Sequence, residues 1–429
     1  MTATGQRPAR AARADGRSWA RAALAALSAL RPLGSAAGLL AVWLVAVVGA
    51  MTVSLATLPV DLGPDYAHLD GYPLPVQALV RWDANHYLAI AQDGYTQVIQ
   101  PAFYPLYPLL VHLVAATGVD VVWAGLAVSW AAALAALVFL RALARDFFAT
   151  RPRADDPSGE VRARRAVLLF LVAPGAFFLA CFYTEALFCA LAFGAFWAAR
   201  RGRWWAACLL VGLLTATRLP GLAVAGAVAV EHLAAKGVLR ERSLRGLDRS
   251  TWWFLLAPAG FAAWVAWCAV ALGDPLAMFH AYDDAWTYQV FDPNVVGTVW
   301  RELVRLAGFA TGTGDPADPA GPAGVDWTML FRFGIGTAAW LVCLAVTLLS
   351  ARRLPASFTA LSLATLLLVS LNSNLQAVNR YVLVLFPVAF ALAGSRRLAA
   401  EHRFAVPVLV STTVMVLSAV LFTHGKWVG

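Results

Sequence analysis

The stretch RWDANHYLAIAQDGY at 81–95 sets Asp83, Asn85 and His86 within four positions, beside Trp82 and just after an apolar run. A carboxylate near hydrocarbon is costly to keep, so such a residue is a candidate for function by default. Asp83 could take a proton from a hydroxyl, bind a metal ion, or cap the helix that starts there, since Asp ahead of a helical run is favoured on backbone grounds alone. Helical spacing puts Asp83 one turn from Asn85–Tyr87, so a polar and an apolar edge can share one short helix. Trp82, Tyr87, Tyr95, Phe103, Tyr104 and Tyr107 surround it with rings. Those rings could stack on a sugar, line the path of a polyprenyl tail, or form an ordinary interfacial belt.

Three further groups carry polar residues at the ends of apolar runs. FYTEALF at 182–188 holds Tyr183 and Glu185; the acid is either a solvated turn residue paired with Arg218 or a second carboxylate that orients an acceptor or helps hold a cation. TATRLPG at 215–221 and AVNRYVLVLFP at 377–387 each end a span with one arginine, Arg218 and Arg380. A guanidinium fork suits bidentate phosphate recognition, although an arginine can also snorkel from a helix end with no ligand. GDPLAMFHAYDDAW at 273–286 offers His280, Asp283 and Asp284 at helical spacing, as a metal pair, a proton relay or the polar face of a loop helix. Asp83, Glu185 and His280 are therefore the candidates for a divalent metal, with no cofactor demanded. No GxxxxGK[ST], HExxH, GxSxG or paired CxxC pattern occurs, which leaves nucleotide-driven transport and the familiar hydrolase signatures unsupported.

The elements that must position these residues are membrane helices. The 429 residues are 61% hydrophobic and 13% charged, far from the roughly 45–50% and 25% of soluble proteins. The spacing predicts spans near 38–58, 119–140, 166–182, 186–200, 204–217, 219–234, 251–272, 330–350, 357–372, 381–395 and 404–424. The expected fold is thus an all-α polytopic bundle of about 11 transmembrane helices. The five cysteines lie inside apolar runs and are expected as small buried hydrophobes. Residues 1–35 read as a basic cytoplasmic tail ahead of an uncleaved first span, and 36–429 as one transmembrane domain. Nearly all-Arg basic residues and abundant Ala point to a GC-rich bacterial genome.

Charge then assigns sides. The formal charge of +9 comes from short clusters between apolar runs, the pattern of topology determinants and not of a nucleic-acid partner. The leader, 141–165, 200–203, 235–250, 351–356 and 396–403 are all basic; the alternate connections, 59–118, 183–185, 218, 273–329 and 373–380, are poor in Arg and Lys. The N-terminus is therefore expected in the cytoplasm, and Asp83, Asn85, His86, Tyr183, Glu185, Arg218, His280, Asn379 and Arg380 together on the outer face of the plasma membrane. The first outer loop, 59–118, is expected to hold interfacial helices, and the second, 273–329, to end in the Gly/Pro-rich TGTGDPADPAGPAG without a core of its own.

Six motifs in order, W-D-x-x-x-Y-x-x-I-A-x-x-G-Y at 82–95, F-Y-P-L-Y-P at 103–108, Y-T-E at 183–185, T-R-x-x-G at 217–221, G-D-P-L-A at 273–277 and R-Y with L-V-L-F-P at 380–387, resemble the PIG-V-like mannosyltransferases of the GT-C glycosyltransferase superfamily. The resemblance implies a polytopic enzyme that draws mannose from a polyprenyl-phosphate carrier and inverts the anomeric centre on the outer face. It implies Asp83 as catalytic base, Arg218 and Arg380 on the donor phosphate, and Trp82, Asn85, His86, Tyr87, Tyr104, Tyr183, Glu185 and His280 as acceptor- or sugar-positioning residues. The acceptor could be a glycolipid, a polysaccharide or a protein hydroxyl. Two competing readings fit the same polar cavity: a GT-C transferase using another polyprenyl-linked sugar such as arabinose, and a flippase for lipid-linked sugars.

Overall fold

The structure is a computed structural model that describes residues 16–58, 60, 64–286, 292–314, 324–372, 374, 375 and 377–428. Among them regular structure is helical throughout, with a single isolated bridge between Arg153 and Asp156. The chain opens with α1 (Gly16–Thr57) and the loop helices α2 (Leu74–Leu79), α3 (Asp83–Asp93) and α4 (Leu106–Ala115). The central bundle follows as α5 (Val121–Ala149), α6 (Glu160–Leu171), α7 (Glu185–Arg200), α8 (Trp204–Thr215) and α9 (Gly221–Ala235). After the short α10 (Val238–Glu241) come α11 (Ala259–Trp267), α12 (Ala277–Trp286), α13 (Val295–Thr311), α14 (Trp327–Ser350) and α15 (Ala356–Ser370). The pieces α16 (Val378–Tyr381) and α17 (Phe386–Ala393) precede α18 (Glu401–Thr423).

Every expected span carries helix, but among the described residues five helical segments are both long and apolar enough to cross a bilayer: Ser35–Thr57, Val121–Ala149, Arg249–Leu272, Trp327–Ser350 and Glu401–Thr423. Four shorter apolar helices, α4, α8, α9 and α15, stand beside them. At 1.5 Å per residue the 12-residue α8 reaches only roughly 18 Å, short of the ~30 Å hydrocarbon layer. Two expected spans are broken. The one at 166–182 stops at Leu171 ahead of Pro174 and Gly175 and resumes as a 3₁₀ turn, Ala176–Leu179; the one at 381–395 is interrupted before Pro387, which opens α17. Proline lacks the N–H an interior helical turn needs, so each break falls at a proline. Conversely, α5 runs past the expected end at 140 to Ala149, so Arg141 and Arg145 stand on a helix and not in a connection.

Helix α7 is the axis of the bundle, buried on nearly every side. It packs closely on α5, in which Ala132, Ala133 and Ala136 are buried: at Gly194 of α7 a Cβ would crowd the ring of Phe139, and at Gly125 of α5 one would collide with Phe182, just before α7 begins. Phe193, Phe196, Phe358, Phe386 and Phe390 interlock edge to face around its middle. All five cysteines are buried and unpaired.

The two ends of α7 differ. At its C-terminal end the basic connections are tied to one another: Arg201 to Asp146, Arg200 to Glu231, Arg141 and Arg145 to Glu160, and Arg165 to the carbonyls of Leu398 and Ala399. At its N-terminal end stand Glu185 and the first loop. That loop is pinned by buried Gln100, whose Oε1 accepts from the Thr96 and Gln97 amides at 2.6 and 2.9 Å, by the Tyr95 hydroxyl donating to the Phe103 carbonyl at 2.7 Å, and by the Leu106 amide donating to the Ala216 carbonyl at 3.0 Å. The second loop holds the helices α12 and α13, whose exposed Val296 and Trp300 give it an apolar outer face. Most of its Gly/Pro-rich stretch, 315–323, lies outside the described residues.

Candidate active site

A cavity of about 350 Å³ opens at the N-terminal ends of α3 and α7. Asp83 is the first residue of α3, and the capping position falls to Trp82, whose side chain makes no capping bond. Trp82 is held at φ 57°, ψ −120°, where a bulky side chain is strained by about 1–3 kcal/mol. Its amide donates to the Tyr66 hydroxyl at 3.0 Å. This kinked entry turns the Asp83 carboxylate away from the helix start and towards the cavity, where Oδ2 accepts from Arg380 Nη1 at 2.9 Å. The negative charge still lies at the positive end of the α3 dipole.

From there a chain of alternating charge runs inward. Arg380 Nη1 lies 3.5 Å from Glu185 Oε1, and the same oxygen accepts from Arg218 Nη1 at 2.5 Å. Glu185 is 2% exposed and Arg380 6%. The Arg218 guanidinium lies 4.4 Å from the Tyr381 ring centroid and that of Arg380 4.7 Å from Trp427, contacts that offset the lost hydration of each cation. Arg380 is placed by its backbone as well: a Cβ on Gly175 would strike the Asn379 carbonyl, so this glycine lets the Pro174–Gly175 break pass directly beneath the Arg380 turn.

Bonding capacity is left over around the cavity. Arg380 Nε, Glu185 Oε2, Trp82 Nε1 and the Tyr104 hydroxyl are buried without a hydrogen-bond partner. Buried polar groups are nearly always satisfied, so unspent polar atoms beside a cavity, three able to donate and the Glu185 oxygen able to accept, suit a polar ligand. Among the described residues, Arg218, Arg332, Arg380 and Asp83 line the cavity, with Glu185 paired to Arg218 and Arg380 just behind. Guanidinium forks so placed suit an anionic ligand.

Trp82, Asp83, Tyr87, Tyr104, Arg218 and Arg380 all line the cavity. Glu185 and Tyr183 lie one layer behind; the Tyr183 hydroxyl donates to the Arg81 carbonyl at 2.9 Å and so braces the entry to α3. His86 stacks on Phe103 at 4.7 Å, and burial lowers its imidazole below the ordinary histidine range despite the pull of Asp83. Two expected residues fall elsewhere. Asn85 lines a separate hollow with His68, Tyr72 and Gln92, because two residues of helix turn it about 200° from Asp83. His280 pairs with Asp274 at 2.6 Å and is not among the cavity residues. The side chains of Asp283 and Asp284 lie outside the described residues.

The described carboxylates of this site are already spoken for. Asp83 and Glu185 are each engaged by a guanidinium, His280 is elsewhere, and among the described residues no three His, Cys, Asp or Glu side chains converge. Sequence reasoning missed Arg332, Asn372, Tyr282 and Trp427, all at the cavity, and Arg81, fully buried 4.8 Å from the Tyr66 ring centroid. An arginine inside the apolar run of α14 was a readable signal for the first of these.

Residues 73–289 match the family described as Mannosyltransferase (PIG-V). Among curated proteins, the human "GPI alpha-1,6-mannosyltransferase 2" is 32% identical over 235 residues, 53% of this chain and 44% of that protein. The rat and mouse proteins of the same name are each 36% identical over 154 residues, 34% of this chain and 30% of theirs. The chain thus matches less than half the length of these relatives. The matched interval carries Asp83, Glu185, Arg218 and the loop that holds them, and the chain belongs to the PIG-V mannosyltransferase family.

Proposed function

We propose that this protein transfers a mannosyl residue from a polyprenyl-phosphate-mannose donor to a hydroxyl acceptor outside the cytoplasm, with inversion at the anomeric carbon. The observation that carries the reading is the Asp83–Arg380 contact at 2.9 Å on the wall of an arginine-lined cavity. One guanidinium reaches the base and, through its unspent Nε, can reach a phosphate. A sugar phosphate bound there has its anomeric carbon between the two.

In the reaction the acceptor oxygen forms a bond to C1 while the bond from C1 to the phosphate oxygen breaks. The hydroxyl proton passes to Asp83, and the departing electron pair stays on polyprenyl phosphate. Arg218 and Arg380, held in place by Glu185, stabilise that charge as fixed cations that need no reorganisation at the moment of reaction. A phosphate that takes up Arg380 also loosens its hold on Asp83, leaving the carboxylate to receive the proton. Glu185 keeps Arg218 and Arg380 together although like charges repel. The donor arrives already activated and from within the membrane, in keeping with the absence of nucleotide-binding motifs.

The basic end of α7 is assigned to the cytoplasm and the cavity to the outer face of the plasma membrane. An acceptor on a membrane glycolipid fits a site at that level; a polysaccharide or protein hydroxyl would enter from the aqueous side. Incubating membranes that contain the protein with radiolabelled polyprenyl-phosphate mannose should yield a labelled product whose identity names the acceptor. Absence of label with this donor, and its appearance with polyprenyl-phosphate arabinose, would replace the donor assignment. Cysteine at position 85 should react from outside intact cells and cysteine at 155 should not; the reverse pattern would invert the topology.

A further inference from the structure

The segment after α18 returns to the cavity. Asn379 Nδ2 donates to the Val428 carbonyl at 2.7 Å, the Val428 side chain is buried in the main core, and the Lys426 amide donates to the Leu421 carbonyl at 2.9 Å. These anchors deliver Trp427 to the cavity wall between the two groups that matter there. Its indole meets Trp82 edge to face at 5.5 Å and carries the Arg380 guanidinium 4.7 Å from its centroid. Trp427 therefore touches the residue before the base and the cation that contacts the base, while it lines the space between them.

We propose that Trp427 is a sugar-positioning residue of the donor site, its ring being the wall on which the C–H face of the transferred pyranose rests. The inference rests on the donor reading above. The C–H bonds of a pyranose face carry partial positive charge, which the negative face of an aromatic ring attracts. A sugar so held directs its hydroxyls to the unspent donors of the cavity, the Trp82 Nε1–H and the Tyr104 hydroxyl. It also keeps the anomeric carbon in register with Asp83. Without the wall the ring can tilt, so orientation at C2 is read less strictly.

The test uses the full chain in nanodiscs with polyprenyl-phosphate mannose and its C2 epimer, polyprenyl-phosphate glucose. Trp427→Ala should raise the KM for the mannosyl donor about tenfold, the factor that about 1.4 kcal/mol of lost binding gives. It should also lower the mannose-to-glucose ratio of kcat/KM, with the protein still eluting as a folded species. Trp427→Phe should restore most of both quantities, and Trp427→Leu, apolar but not aromatic, should restore neither. Equal rescue by Leu and Phe would reduce Trp427 to packing and overturn the proposal. So would an unchanged epimer ratio in Trp427→Ala. A wild-type protein that transfers from neither donor would instead overturn the donor reading itself, so the two failures are distinguishable.

Discussion

Both ends of α7 are rich in arginine–carboxylate pairs, and the Glu160 cluster at one end and the Glu185 cluster at the other differ in burial. At the basic end Glu160 engages Arg141, Arg145 and Arg164, with Arg145 and Arg164 54% and 73% exposed. Arg145 and Arg164 reach into water, so their pairs are screened by salt and contribute little, while Arg141 and Glu160 are 27% and 26% exposed. At the cavity end Glu185 and Arg380 are 2% and 6% exposed. Each keeps an atom with no partner, Oε2 on one and Nε on the other; in the Glu160 cluster Arg141 Nε shares that state, so burial of both partners is what sets the cavity end apart. Burying charge with bonding capacity unspent is costly unless something is meant to complete the set. The basic end fastens connections to each other, whereas the cavity end, on the reading proposed above, holds charge for a ligand.

The largest separation between the ends should appear at Asp83. Asp83→Asn keeps a hydrogen-bonding partner for Arg380 and removes the proposed base, so transfer should fall roughly 100- to 10,000-fold while donor binding survives. Turnover at the wild-type rate in purified Asp83→Asn would sink the base assignment. Next comes Glu185→Gln, which leaves Arg218 and Arg380 facing each other with one carboxylate fewer. Breaking a buried pair this way costs about 3–5 kcal/mol, read as a lower unfolding temperature in nanodiscs together with weak activity. Wild-type stability would mean that Glu185 is in effect solvated and the contrast false.

A smaller effect tests the backbone and not the charges. Gly175→Ala places a methyl against the Asn379 carbonyl, so the Arg380 turn must shift. A misplacement near 1 Å can cost on the order of 100-fold in rate; with the cavity able to relax, a loss of about tenfold in kcat/KM is expected, chiefly through donor KM. An unchanged KM would show that the turn absorbs the methyl.

The sequence carried the parts of this arrangement that depend on periodicity and charge counting. Asp83, Glu185, Arg218 and Arg380 were expected on one side because each closes an apolar run on the side poor in basic residues, and the structure brings those four together. Side-chain direction was not legible. Asn85 belongs to the same short motif as Asp83 yet faces another hollow, and His280 is taken by Asp274 six residues before it. Trp427 stood after the last span with nothing nearby to mark it, since only the folded return of 424–428 brings it to Arg380. Arg332 was read as part of a span although its charge argued otherwise. Helix ends, too, were set by prolines and by continuation into charged residues more than by where the apolar run stopped.

The smallest effect should come from the basic end, and it is the control that gives the others meaning. Glu160→Gln removes the one carboxylate shared by Arg141, Arg145 and Arg164, just as Glu185→Gln removes the one shared by Arg218 and Arg380. The formal change is the same, and more arginines lose a partner. Water and salt can nonetheless take the place of the lost oxygen, so the expected cost is below about 1 kcal/mol and shrinks further at high ionic strength. Transfer activity should stay at the wild-type level, because among the described residues none that lines the cavity is paired with this cluster. If Glu160→Gln instead unfolded the protein or silenced it as Glu185→Gln should, burial would not be what distinguishes the two ends. The inward chain from Asp83 to Arg218 would then be fastening of the same kind, and the unspent Nε of Arg380 would lose its claim on a phosphate.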